Sequence, residues 1–131
     1  MTEGQVPAEL RYTKSNEWVR VEGDVLTVGI TDHAQSELTD IVYVDLTLKS
    51  KEVKAGASVL VLESVKTVAD IYAPATGTVT EVNTQLKPHP DYVNRFPYVE
   101  GWIFKMKAGP GFDPATLLTD QQYREFLASG G

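Results

Sequence analysis

The chain has 131 residues, the length of one domain, and 42% of them are hydrophobic, which suffices for a single core. Its formal net charge of −6, from 18 acidic and 12 basic residues, argues against nucleic acid and against an anionic membrane surface as partners. The absence of cysteine excludes a disulfide framework, a cysteine-ligated metal and a cysteine nucleophile.

The amino-terminal segment, residues 1–5, lacks the basic and apolar regions of a signal peptide and the arginine-rich character of a transit peptide. No stretch approaches the roughly 18 consecutive apolar residues that a membrane helix requires. We therefore expect a cytoplasmic protein, or a mitochondrial matrix protein if the sequence is a mature eukaryotic form. We also expect a monomer with one domain over residues 1–131, whose core spans about 12–127.

The first part of the chain shows strand patterns on both sides of a helix signal. Residues 19–30 predict a β-hairpin, because apolar and polar residues alternate before a Gly-Asp turn and an extended run follows it. Thr31 or Asp32 can then cap a short helix. Residues 41–46, which are mostly β-branched or aromatic, predict the next strand.

Further strand patterns follow, and a helical pattern ends the chain. The strand candidates are residues 58–62, 68–72, 78–82 and 99–107. The carboxy-terminal part, about 113–128, predicts helical structure, with an Asp-Pro start and a capping box whose apolar residues share one face. The pattern favours a mainly β fold, a sandwich or flattened barrel of short antiparallel strands, with short helices and a carboxy-terminal helix.

Lys66 is the most informative position. It lies between the apolar run at 58–62 and the extended run at 68–72, in a segment short enough for a tight hairpin turn. A lysine at a hairpin tip is displayed to solvent, where an attaching enzyme can bring an activated acyl group to its amine. Taken alone, a lysine in a surface turn is most often just a solvated charge.

Five segments in the same order resemble the glycine cleavage H-protein family, and together they reverse that interpretation. This chain also departs from the family pattern. It has Thr39 where the family usually has glycine, and Thr67 where the family commonly has a small residue after its modified lysine. The matching segments are residues 15–19, 29–35, 40–44, 63–74 and 93–102.

The resemblance implies a barrel-sandwich hybrid fold of the lipoyl and biotinyl kind, and a carrier rather than an enzyme. It implies lipoate bound as an amide to Lys66, within an attachment motif that also contains Glu63, Ser64, Val65 and Thr67. The implied partners are glycine decarboxylase (P protein), an aminomethyltransferase (T protein), dihydrolipoamide dehydrogenase (L protein) and a lipoate-attaching enzyme. No catalytic residue and no metal site is expected.

Members of the family fold the loaded arm into a cleft on their own surface, and the matching positions here are Ser15, Glu17 and Asp70. A carboxylate can hold a cationic amine through a charge-assisted hydrogen bond. We therefore hypothesise that Glu17 and Asp70 accept from the amine while Ser15 adds a neutral contact. Each has a simpler interpretation: an exposed carboxylate for Glu17, a lysine pair for Asp70 and a turn cap for Ser15.

Alternatives of three kinds remain open at this point: another type of carrier, a scaffold module and a lipoyl relay. A biotin carrier would usually flank the lysine with methionines, and a dehydrogenase lipoyl domain is shorter and commonly has Asp-Lys-Ala. The chain could also be an unmodified scaffold module that keeps the fold without the arm. It could finally serve as a lipoyl relay that passes its group to other proteins.

Overall fold

The structure is a computed structural model and describes residues 4–130. Residues 1–3, part of the amino-terminal segment considered above, and residue 131 lie outside the described part. The strands are β1 (Arg11–Tyr12), β2 (Glu17–Glu22), β3 (Val25–Ile30), β4 (Ile41–Asp45), β5 (Glu52–Val53), β6 (Ser58–Ser64), β7 (Val68–Tyr72), β8 (Gly77–Val82) and β9 (Phe104–Ala108). The helices are α1 (Asp32–Leu38), α2 (Tyr92–Arg95) and α3 (Asp120–Ala128), with short 3-10 segments at Thr84–Leu86 and Pro114–Thr116.

The strands form two antiparallel sheets. The larger sheet has the order β1-β2-β3-β9-β8-β5, and the smaller has the order β4-β6-β7. The main cluster of buried apolar side chains draws on both sheets, and includes Val28, Leu60, Leu62, Ile71 and Phe104. The predicted mainly β architecture is confirmed, and within residues 4–130 the two sheets do not close into a barrel.

A second buried cluster attaches the carboxy-terminal helix to the larger sheet. Tyr123 of α3 stacks on Tyr12 of β1, with ring centroids 4.8 Å apart. The Tyr123 hydroxyl lies 2.8 Å from both Thr31 Oγ1 and Asn16 Oδ1. Asn16 precedes β2 and Thr31 follows β3, so the helix is bonded to both ends of the β2–β3 hairpin. The predicted capping box of α3 is present, with Thr119 and Gln122 bonded reciprocally.

Most predicted elements are confirmed, but the last strand is shorter than expected. The sequence predicted a strand over 99–107, whereas β9 begins at Phe104 and ends at Ala108. The chain turns first, because Phe96 O accepts from the amides of both Val99 and Gly101. Gly101 permits this turn, since a Cβ there would lie only 2.6 Å from Tyr92 O and 2.7 Å from Phe96 O.

The short elements β1, β5 and α2 were not predicted. No helix among the described residues is long and apolar enough to cross a membrane.

The junction between α1 and β4 contains a strained residue. Thr39 has φ 64° and ψ −153°, a backbone region that only glycine adopts without strain. Its amide donates to Gln35 O at 3.0 Å, and its carbonyl accepts from Asn94 Nδ2 at 2.8 Å. Asn94 Oδ1 also accepts from the amide of Ile41 at 2.8 Å, so one side chain of α2 fixes both sides of the junction.

We expect Thr39→Gly to stabilise the protein. Removing the Cβ relieves strain of about 1–3 kcal/mol, while the added freedom of the unfolded chain returns about 0.5–1 kcal/mol. The net gain in free energy of unfolding should be about 1 kcal/mol, measured by urea denaturation.

Thr39→Ala is the matched control, because it removes the hydroxyl but keeps the Cβ that causes the strain. It should show no gain in stability. Equal stabilisation by alanine and glycine would contradict the role of backbone strain at this position.

Candidate functional site

The turn that contains Lys66 is fixed by the side chain of Ser64. Ser64 Oγ accepts from the amide of Lys66 at 3.1 Å and from the amide of Thr67 at 3.0 Å. The amide of Ser64 in turn donates to Thr67 O at 2.8 Å, which closes the β6–β7 hairpin. Ser64 is itself only 9% exposed, so the anchor of the turn lies in the protein while the turn projects from it.

A second contact attaches the turn to the α1–β4 junction. The amide of Val65 donates to Asp40 O at 3.0 Å, directly after the strained Thr39. The Lys66 side chain is exposed, and its ammonium lies at 3.5 Å from Glu37 O, a carbonyl in the last turn of α1. The position of a cation near this end of a helix is favourable, but the contact is long. The lysine amine is therefore accessible on a turn that has little freedom.

The outer side of β7 leads away from this turn. Val68 and Asp70 are exposed and Tyr72 is half-buried, whereas Ile71 between them is buried in the core. Because side chains alternate along a strand and each residue rises about 3.3 Å, Tyr72 lies about 13 Å from Val68 on the same side. The strand thus presents a row of side chains from the hairpin turn towards the other end of the sheet.

Asp70 is held by two neighbours on this row. Its Oδ1 accepts from Ser58 Oγ at 2.7 Å and from Lys49 Nζ at 3.0 Å. The hydrogen bond from Ser58, followed by that from Lys49, lowers the pKa of the Asp70 carboxyl below its ordinary value. The simpler interpretation, that Asp70 pairs with a lysine, is therefore confirmed. The carboxylate nevertheless remains exposed.

Glu17 is in a different environment, because it is only 1% exposed. Its Oε1 accepts from Thr13 Oγ1 and from Ser15 Oγ, both at 2.5 Å. Its Oε2 accepts from the amide of Tyr72 at 3.2 Å, which links β2 of the larger sheet to β7 of the smaller one. The interpretation of Glu17 as an ordinary exposed carboxylate is wrong.

A groove of about 480 Å³ lies in front of Glu17. Thr13 and Ser15, the two hydroxyl donors to Glu17, contribute to its lining, together with Tyr72 from the end of β7. The other lining residues include Pro74 and Leu117. The row of side chains on β7 therefore runs from the Lys66 turn to an open groove that has a buried carboxyl behind its polar wall.

The structure brings some of the predicted site residues together and separates others. Ser15 and Glu17 are in direct contact, and Ser64 and Thr67 shape the Lys66 turn. Asp70 bonds to neither Ser15 nor Glu17 within residues 4–130, but lies two residues before Tyr72 on β7.

Five residues that shape the site were not predicted from the sequence: Thr13, Ser58, Lys49, Tyr72 and Asn94. Only Thr13 lies close in sequence to its partner.

Comparison with known proteins gives a consistent result. The family described as Glycine cleavage H-protein matches residues 10–130. A glycine cleavage system H protein of Acinetobacter baumannii (strain SDF) is 51% identical over 121 residues, which cover 92% of this chain and 98% of the relative. One of Thermotoga maritima is 49% identical over 118 residues, covering 90% and 95% respectively.

A solved structure agrees with these sequence matches. The crystal structure of a glycine cleavage system H protein from Mycobacterium marinum is similar to this one with a TM-score of 0.80. The two chains share 34% sequence identity, and the match covers 96% of this chain and 99% of the other. The similarity therefore includes both sheets and the hairpin that carries Lys66.

Glu17 should make the stability of the protein depend on pH. Burial raises the pKa of its carboxyl above the ordinary value of 4.5, although hydrogen bonds from Ser15, Thr13 and Tyr72 oppose the shift. At a pH above this ordinary pKa, the Glu17 carboxyl releases its proton in the unfolded chain but keeps it in the folded protein. The free energy of unfolding contributed by this group therefore falls as the pH rises towards the folded pKa.

We expect Glu17→Gln to remove this dependence, because glutamine has the same size and does not ionise. The stability of the variant relative to the natural protein should increase as the pH rises from below 4.5 to neutral, as measured by urea denaturation across that range. Glu22→Gln, at the exposed end of the same strand, is the control. A difference between Glu17→Gln and the natural protein that does not change with pH would contradict the assignment.

Proposed function

Because the chain belongs to the glycine cleavage H-protein family, we propose that it carries a lipoyl group as an amide on Lys66 and transfers the aminomethyl group of glycine between enzymes. The chain is a carrier component of the glycine cleavage system and not an enzyme, as the sequence predicted. The biotin-carrier and dehydrogenase-domain alternatives are therefore set aside.

One observation supports the attachment at Lys66 above all others. Its amine is exposed, whereas the backbone on either side is bonded to Ser64 Oγ and, at Val65, to Asp40 O. An acyl group can reach such an amine without rearrangement of the fold. Because the ammonium makes only a long contact with Glu37 O, little interaction is lost when the nitrogen becomes an amide.

The partners we propose follow from the chemistry of the cycle. When bound, the lipoyl group supplies a disulfide that is reduced as it takes up the aminomethyl group and is later reoxidised. The protein meets glycine decarboxylase, the aminomethyltransferase and dihydrolipoamide dehydrogenase in turn, after a lipoate-attaching enzyme has loaded it. We propose that it does so as a monomer and in one domain. Because the relatives are bacterial, we propose that it works in the cytoplasm.

The groove near Ser15 is the surface that we propose for protecting the loaded arm. The outer side of β7 connects it to the Lys66 turn, and the exposed carboxylate of Asp70 lies on that path. Ser15 lines the groove and donates to Glu17 Oε1, so an amine that replaces this hydroxyl reaches the buried carboxylate directly. A charge-assisted hydrogen bond in such a place is stronger than one in open water.

We expect one added lipoyl mass on the protein after incubation with lipoate, ATP and a lipoate-attaching enzyme. Lys66→Arg should abolish the added mass, because arginine keeps the charge but cannot form the amide. Intact-mass spectrometry provides the measurement. Lys87→Arg, which alters another exposed lysine, is the matched control and should load like the natural protein.

Failure of the natural protein to gain mass while a known acceptor is loaded would favour the unmodified scaffold function. Addition of P protein, glycine and pyridoxal phosphate to the loaded protein then tests the proposed cycle. Retention of an aminomethyl adduct supports glycine cleavage, whereas loading without any adduct would favour the lipoyl relay.

We expect the double variant Glu17→Gln/Asp70→Asn, once loaded with the aminomethyl group, to release ammonia faster than the natural protein. The amine loses both of its charged acceptors and is exposed to water, and the loss of such bonds predicts an increase on the order of tenfold. Ammonia release from the isolated loaded protein is the measurement.

Asp24→Asn is the control for the double variant, because Asp24 is an exposed carboxylate that pairs with Lys107 away from the groove. Equal rates of ammonia release from the double variant, the control and the natural protein would refute the proposed groove function. Thermal unfolding of all three proteins checks that the substitutions leave the fold intact.

A further inference from the structure

The carboxylate of Asp70 already holds a cation that belongs to the protein itself. Lys49 Nζ lies 3.0 Å from Asp70 Oδ1, and Ser58 Oγ donates to the same oxygen at 2.7 Å. Both bonds fall on Oδ1, and no hydrogen bond from residues 4–130 reaches Oδ2. An ammonium group therefore occupies one of the two carboxylates that we propose for the amine of the loaded arm.

The other carboxyl proposed for the arm has no such partner. Glu17 accepts from the hydroxyls of Thr13 and Ser15 and from one backbone amide, all of which are neutral donors. None of the ion pairs among the described residues includes Glu17. A cationic amine that reaches Glu17 therefore meets no competing charge, whereas one that reaches Asp70 meets Lys49.

The backbone around Lys49 is fixed, while the end of its side chain is not. The amide of Lys49 donates to Val59 O of β6 at 2.9 Å, and Lys51 O accepts from the amide of Val79 on β8 at 2.8 Å. The Lys49 side chain is 52% exposed and that of Asp70 39% exposed. The ammonium group can thus leave Asp70 and return to it without any movement of the backbone.

One carboxylate neutralises the charge of one cation. If the amine of the loaded arm bound Asp70 while Lys49 remained in place, two ammonium groups would share this carboxylate and repel each other. Exchange of one cation for the other is inexpensive, because an exposed ion pair is only weakly stabilising. The amine and Lys49 must therefore compete for Asp70.

We infer that Lys49 is the exchange partner of the loaded arm at Asp70, an inference that rests on the proposed function. Lys49 binds the carboxylate while the groove is empty, leaves it when the aminomethyl amine arrives, and returns when the arm departs. This competition weakens the binding of the arm to the carrier. Because a carrier must also deliver what it protects, Lys49 adjusts the balance between protection and release.

A purely structural ion pair would have the opposite effect. If Lys49 only orients the Asp70 side chain, its removal loosens the carboxylate, and the amine of the arm is protected less well. If Lys49 competes, its removal makes the carboxylate fully available, and the amine is protected better. The direction of the change in ammonia release therefore distinguishes the two roles.

Lys49→Met tests the competition, because methionine keeps an unbranched side chain but carries no charge. Once loaded with the aminomethyl group, the variant should release ammonia about threefold more slowly than the natural protein, as the weak energy of an exposed ion pair predicts. Lys49→Arg keeps the cation and should release ammonia at least as fast as the natural protein. Lys107→Met is the matched control, since it removes the lysine of another exposed ion pair, with Asp24.

A second substitution shows whether the effect depends on Asp70. In the Asp70→Asn background, Lys49→Met should leave the rate of ammonia release unchanged, because no carboxylate remains for the two cations to share. Equal or faster release from Lys49→Met than from the natural protein would overturn the exchange role. The same slowing in the Asp70→Asn background would also overturn it.

Failure of the proposed function gives a different result. No uptake of an aminomethyl group by the natural protein, or an unchanged rate of ammonia release in Asp70→Asn alone, would refute the proposed function and the exchange role with it. An unchanged or faster rate in Lys49→Met, beside a faster rate in Asp70→Asn, would refute the exchange role alone.

Discussion

A buried carboxyl joins the two halves of this protein. Glu17 begins a strand of the larger sheet, and its second oxygen accepts from the amide of Tyr72 at the end of a strand in the smaller sheet. Its first oxygen is bonded to the hydroxyls of Thr13 and Ser15. A buried acid is costly unless its oxygens are bonded, so these partners must be in place together. These hydrogen bonds thereby fix the position of β7 relative to β2 near the groove.

The smaller sheet is consequently restrained at opposite ends. Tyr72 is bound to Glu17 at one end of β7, and at the other end the turn beyond Val68 is bound through Val65 to Asp40 O. Because β7 is an edge strand of this sheet, it has a sheet neighbour on only one side. The two contacts replace part of the support that a second neighbouring strand would give to β7. They also fix the orientation of β7 between the Lys66 turn and the groove.

Local patterns in the sequence were sufficient to predict the hairpins and the capped helices α1 and α3, because each depends on residues close together in the chain. The interpretation of Lys66 as an attachment point depended instead on a resemblance that extends along most of the chain. The burial of Glu17 could not be predicted, since its partner Tyr72 is 55 residues away. Threonine rarely adopts a left-handed backbone, so for Thr39 the indication of one came from the glycine that is usual there in the resembling family and not from the residue itself. Val99 lies in an apolar run that resembles a strand, and only the packing in space shows that the chain turns there.

Under the proposed function, with a lipoyl arm on Lys66, the firmly bonded turn also has a consequence for encounter rates. If the attachment point does not move, the length and flexibility of the arm alone determine the volume through which its sulfurs travel. The effective concentration of those sulfurs at a docked partner's active site then depends on the distance from Lys66 to that site. A carrier built in this way can serve several enzymes that share no surface features, provided each places its active site within the same radius.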